Sequence, residues 1–174
     1  MRAMSIAARA QSFAFDVNRP GNPIKKMWDR MHVLPGGKRL FSKLVGQTAP
    51  YTGTIGAKIE RLERGFAQVS LADRRKVRNH LNCVHAIALT NLAELTGNIA
   101  MAYSLPDDAR FIVAGLSIEY LKKARGRITG ECHCPIPSDS SRATYEVEVS
   151  MRDQDGEEVA RATLQTLVGP KKAS

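Results

Sequence analysis

Between positions 84 and 101 the chain carries Val84, Ile87, Ala88, Leu89, Leu92, Ala93, Leu95, Ile99, Ala100 and Met101. Wound into a helix, these residues cover most of the circumference, so the segment is expected to be buried on nearly all sides. A helix of that kind needs an enclosing surface, and the rest of the chain must supply it. The segment runs to about Ser104 and is entered from a polar stretch, Asn79-His80-Leu81-Asn82-Cys83. One carboxylate, Glu94, sits in its middle. An unpaired buried carboxylate is costly or has its pKa raised, so Glu94 is expected to be either paired or functional. Thr90, Asn91 and Asn98 lie one turn away and are the neighbours able to satisfy it.

On either side of this helix the hydrophobic period is two. From Thr54, Ile55, Ala57 and Ile59 alternate with polar residues, Glu63-Arg64-Gly65 turns the chain, and 66–71 makes a second strand with Ala67, Val69 and Leu71 on one face. After Pro106-Asp107-Asp108, residues 111–121 read as a long central strand. Ile128, Gly130, Cys132 and Cys134 then face one way, and Ala143, Tyr145, Val147, Val149 and Met151 form the cleanest inward set. Asp153-Gln154-Asp155-Gly156 is a hairpin signal, followed by a last strand over 159–168. Connections this short reach only an antiparallel sheet. A curved sheet wrapped around the one long helix satisfies both periodicities, which predicts an α+β fold over residues 51–170.

Residues 1–50 read as an N-terminal arm. Asn22-Pro23 is a capping residue followed by proline at the first helical position, starting a short helix to about Met31. Leu34-Pro35-Gly36-Gly37 breaks it, and a second short helix is expected over 38–44 with Gly46 as its stop. Trp28, with Met27 and Met31 beside it, is read as packing of this arm. The first fifteen residues contain Arg2 and Arg9 and no acid; they lack a continuous apolar signal core and read as a plain arm.

The length of 174 residues suits one domain, and no apolar run is long enough to span a bilayer. Three cysteines without framework spacing fit a reducing compartment, hence the cytoplasm. The net charge of +9 is concentrated at Arg74, Arg75, Lys76 and Arg78 and again at Lys122, Lys123, Arg125 and Arg127, clusters that attract polyanions. Only Tyr120 lies near them, so the interleaved aromatics of a nucleic-acid surface are missing and no nucleic-acid partner is expected. Cys132-His133-Cys134 has no second Cys/His pair at zinc spacing, and no metal is expected. Cys83 and His80 have no obvious catalytic partner.

The element order and the residues Asn79, Asn82, His85-Ala86-Ile87 and Leu92-Ala93-Glu94 resemble the hotdog-fold acyl-CoA thioesterase superfamily. The type resembled is the phenylacetate-pathway one, in a branch of unknown function. Ile118-Glu119-Tyr120-Leu121-Lys122-Lys123-Ala124 is similar to that family's strand leading to its acyl-CoA groove. The resemblance covers about residues 50–169. It implies Glu94 as general base or nucleophile, Asn79 as a positioner of the attacking water, and His85 shaping the turn. Amides of Ala86 and Ile87 would hold the oxyanion, as orphan donors strengthened by the helix dipole. It further implies a site at a homodimer interface, or in a dimer of dimers. Lys122 and Lys123, then Arg125 and Arg127, would meet the phosphates of coenzyme A, which enters as part of the substrate rather than as a separate cofactor. The family's glycines are Asn82, Ala86 and Ile87 here, and side chains at the last two narrow the approach that glycine leaves open. A non-catalytic acyl-CoA or acyl-lipid binding protein is therefore the alternative expectation.

Overall fold

The computed structural model describes residues 20–172; the expected leading arm of residues 1–15 lies outside them. Helix α1, Pro23–Met31, is capped by Asn22, whose side chain accepts the Lys25 amide at 3.0 Å. The same Asn22 donates to Ala102 O at 2.7 Å and ties the start of α1 to the central helix. Trp28 is buried and meets Phe41 edge-on at 5.1 Å between ring centroids. Phe41 belongs to α2, Gly37–Thr48, which runs straight through the expected stop at Gly46. That glycine is a packing contact instead: the one-turn helix α3, Pro50–Gly53, presses Gly53 against it.

Six strands form one antiparallel sheet in the order β1-β2-β4-β5-β6-β3. They are β1 Lys58–Glu63, β2 Phe66–Leu71, β3 Ala109–Tyr120, β4 Ile128–His133, β5 Ala143–Arg152 and β6 Glu158–Pro170. β1 begins later than the alternation from Thr54 suggests, because Gly56 adopts a left-handed φ of 58° and turns the chain there. β3 is an edge strand, not the central one expected; it pairs with β6 on one side only. Its inward residues Phe111, Val113, Leu116 and Ile118 are apolar because they pack against the core, though all remain half-buried. Cys132 and Cys134 point inward and His133 outward, as alternation demands.

The sheet curves around α4, Ala86–Ser104, the helix anticipated from its apolar circumference. Leu92, Ala93, Ala100 and Met101 are fully enclosed, each large side chain contributing about 2 kcal/mol of burial. The helix comes close to the sheet because β4 offers Gly130, where a Cβ would lie 2.7 Å from Thr96 Oγ1. The helix is buried on nearly all sides, as expected, with one exception. Ile87, Thr90, Glu94 and Asn98 share one side of α4 that the sheet leaves open, and Ile87 is 53% exposed. The sheet stays open, with β1 and β3 as its unpaired edges, so one stripe of the helix stays uncovered beside β3.

Candidate functional site

The open stripe starts at the N-terminus of α4. Before it, residues 72–85 form a short 3-10 turn, Arg75–Val77, and an irregular loop. Asn79 organises that loop: its Oδ1 accepts from the amides of Leu81 at 2.9 Å and Cys83 at 3.4 Å. Asn82 adopts φ 55°, a left-handed conformation in which asparagine is the best substitute for glycine. Asp73 staples the loop to its neighbour, accepting from Arg78 at 2.6 Å and from the Gly126 amide at 3.0 Å. Those bonds, Arg78's first, outweigh the effect of burial and hold the Asp73 carboxyl below the usual range.

His85 is the N-cap of α4. Its Nδ1 accepts the Ile87 amide at 3.1 Å, while its carbonyl accepts from Ala88 and Leu89. The Ile87 N–H, expected as one of two oxyanion donors, is bonded within the cap in this structure. The Ala86 N–H is left as the first-turn donor without a partner among the described residues. Asn79 is likewise engaged through its oxygen in the loop rather than free to hold a water by that atom.

Glu94 stands two turns along the stripe and is half-buried, not buried as expected. Among the described residues it has no ion pair or hydrogen-bond partner, and the neighbours proposed to satisfy it turn elsewhere. The Thr90 hydroxyl donates to Ala86 O at 3.1 Å and shares a 2.8 Å bond with the Tyr120 hydroxyl. Asn91 donates to Tyr51 O of α3 at 3.1 Å. The Oδ1 atoms of Asn91 and Asn98 are buried without a partner, one on each side of Glu94 along the helix. The open stripe therefore carries a half-buried carboxylate with no partner among the described residues, and two amide oxygens buried from solvent lie beside it.

Tyr120, Asn91 and Asn98 were not among the expected site residues. The spacing Thr90, Asn91, Glu94, Asn98 was the signal, since polar residues three and four apart share one helix face. Tyr120 is brought in only by the sheet, from the end of β3.

The basic residues divide. Lys122 is held by Asp153 at 2.8 Å and by Glu157, bracing the β5–β6 hairpin. Lys123, Arg125 and Arg127 are exposed. Arg127 faces a groove of about 970 Å³ between α2, α3 and β1, whose wall also includes Arg39, Lys43 and Arg74. No three His, Cys, Asp or Glu side chains come together as metal ligands among the described residues. No helix there is long and apolar enough to cross a membrane.

A curved antiparallel sheet around one long helix is the hotdog fold, the fold of the thioesterase-family structures that this chain is similar to. The chain belongs to the family described as a domain of unknown function, DUF4442, whose model matches residues 37–168. A structural-genomics protein of 32% identity superposes with a TM-score of 0.73, covering 84% of this chain and 98% of that one. A Pseudomonas aeruginosa protein of unknown function, described as a probable thioesterase, is 22% identical with a TM-score of 0.68 over 79% and 97% of the two chains. A Streptococcus mutans protein bound to acetyl-CoA is also 22% identical, with a TM-score of 0.56 over 66% and 90%. No curated protein matches the chain.

Proposed function

We propose that this protein hydrolyses acyl-CoA or acyl-carrier thioesters, with Glu94 as the acid-base group. The observation that carries the reading is Glu94 itself, a carboxylate without a partner on the open stripe of α4, two turns from an amide that points out of the helix start. Glu94 takes a proton from water, and the resulting hydroxide attacks the thioester carbon. The carbonyl oxygen becomes an oxyanion held by the Ala86 N–H at the positive end of the helix. The C–S bond then breaks, the thiolate receives the proton from Glu94, and a free acid leaves. Direct attack by the Glu94 carboxylate, giving an acyl-enzyme that water later opens, uses the same two groups. His85 fixes the helix start through its cap, and Asn79 fixes the loop that presents it. Both act by positioning.

In this reading β3 pairs with β3 of a second copy to give a homodimer or a dimer of dimers. What supports it is a 12-residue edge strand with half-buried apolar residues beside the open stripe. Lys123 and Arg125 are the cations left to meet the coenzyme A phosphates, since Arg127 faces the groove between α2, α3 and β1. The phenylacetate-pathway type is the finer assignment, and a cytoplasmic location agrees with three free cysteines.

A second reading is favoured by the occupied Ile87 amide. With one of two donors already bonded to His85, the site has the form of an acyl-CoA or acyl-lipid binder without turnover. Release of coenzyme A from a panel of acyl-CoAs separates the two. The hydrolase reading expects turnover that Glu94→Gln removes. Saturable binding with no turnover leaves the binder, and turnover that survives Glu94→Gln rules out the assigned base.

A further inference from the structure

The groove of about 970 Å³ lies away from the sheet edge at β3, on the side of the molecule where the helical arm meets β1. Five cationic side chains reach it from four elements or their flanks: Arg39 and Lys43 from α2, Lys58 from β1, Arg74 after β2, and Arg127 before β4. Glu60 is the one carboxylate of the wall, and Lys58 at 2.8 Å and Ser70 at 2.7 Å already engage it. Arg39, Lys43 and Arg127 have no ion pair among the described residues. Arg61, Arg78, Lys122 and Arg161 are each matched by a carboxylate, and others such as Arg30, Arg64 and Lys123 stand singly on the surface. What sets the groove apart is that five cations converge on one concave wall with a single carboxylate.

Its shape is held by close backbone contacts. A Cβ on Gly53 would lie 2.4 Å from Gly46 O, so α3 can sit against α2 only with glycine there. A Cβ on Gly56 would meet the Arg74 guanidinium at 2.3 Å. With that space open, Arg74 lies across the turn and donates to Ile55 O at 2.5 Å, which fixes where its charge stands. Val45, Ala57 and Leu95 add apolar surface, and Ser42 and Thr52 add hydroxyls.

We infer that this groove binds a small organic molecule of nucleotide size that carries two or more phosphate groups. Several separated cations suit several phosphates better than one, and guanidinium groups match phosphate oxygens in pairs. The volume is that of a whole ligand site rather than of a single anion. The apolar patch around Leu95 gives a ring or chain somewhere to lie. This site is independent of turnover at Glu94, because binding alone is its function.

Calorimetric titration of the wild-type chain with adenosine 3′,5′-bisphosphate, and separately with inorganic pyrophosphate, tests it. Saturable binding of the nucleotide that weakens as salt rises is expected. The double reversal Arg39→Glu/Lys43→Glu, on the exposed face of α2, weakens it by about tenfold or more, and Arg127→Glu does so alone. The charge-matched control Arg30→Glu/Arg64→Glu, outside the groove, changes it by less than about twofold. Equal weakening by both double variants, or no saturable binding by wild type, overturns the proposal. Binding only to phosphatidylglycerol vesicles, with neither free phosphate compound bound, overturns it in favour of a membrane surface. Acyl-CoA turnover is read in a separate assay, so failure here and failure of the hydrolase reading are told apart.

Discussion

At the scale of single residues, Glu94 is defined by what surrounds it. Two buried amide oxygens flank it and no ion pair among the described residues holds it, so none of their contacts depends on its charge. Glu94→Gln is accordingly expected to leave the melting temperature unchanged while lowering the rate of coenzyme A release by about 10²–10⁴-fold, the usual worth of a positioned acid-base group. Thermal unfolding and steady-state assays on one preparation check both halves. His85 works differently, through the cap. His85→Ala removes the acceptor for the Ile87 amide at a cost of about 1 kcal/mol, and His85→Asn restores it. If that amide is a second oxyanion donor once freed, His85→Ala raises kcat per folded molecule; if the cap is needed to aim Ala86, kcat falls and Asn rescues it.

At the scale of elements, two helices and one edge carry the expectations. The α2–α3 contact rests on Gly46 and Gly53, and Gly53→Ala places a methyl 2.4 Å from a carbonyl oxygen. Overpacking of this kind costs about 1–3 kcal/mol, seen as a lower denaturant midpoint, while Gly156→Ala meets nothing within 4 Å and pays only for its turn conformation. The β3 edge is expected to bring two copies together. Sedimentation should then give twice the 19.1 kDa of the chain, and Ile87→Lys with Ile112→Lys should return it to a single chain. A wild-type chain that sediments as a monomer at micromolar concentration removes the dimer, and with it the second wall of the site.

At the scale of the whole molecule, Asp73 joins the loop before α4 to the loop before β4. Its carboxyl is held below the ordinary value, chiefly by Arg78, so the folded state favours its ionised form. The sign follows: the contribution is complete above the unfolded value of about 3.9 and is lost as pH falls through the lower folded value. Asp73→Asn should therefore lower the melting temperature by about 2–4 °C at pH 7, and the gap to wild type should close on acidification below pH about 4. A gap that stays constant down to pH 3 would assign the staple's effect to packing instead.

What the sequence determined by itself is the architecture: one helix apolar nearly all round, strands of period two on both sides, and connections too short for anything but antiparallel pairing. The cap at Asn22, the β5–β6 hairpin and the inward cysteines were readable for the same reason, because each depends on neighbours within a few residues. The position of Glu94 on its helix was readable too, but its exposure was not. Exposure depends on where the sheet ends, and β3 looks central in sequence because edge and centre strands share the same alternation. Tertiary structure alone decided that Lys122 pairs with Asp153 and Glu157, that His85 occupies the Ile87 amide, and that Arg39, Lys43, Arg74 and Arg127 converge. Charges and hydrogen bonds act across distances of a few ångströms in space. Residues far apart in the chain reach those distances only after the fold has brought them together.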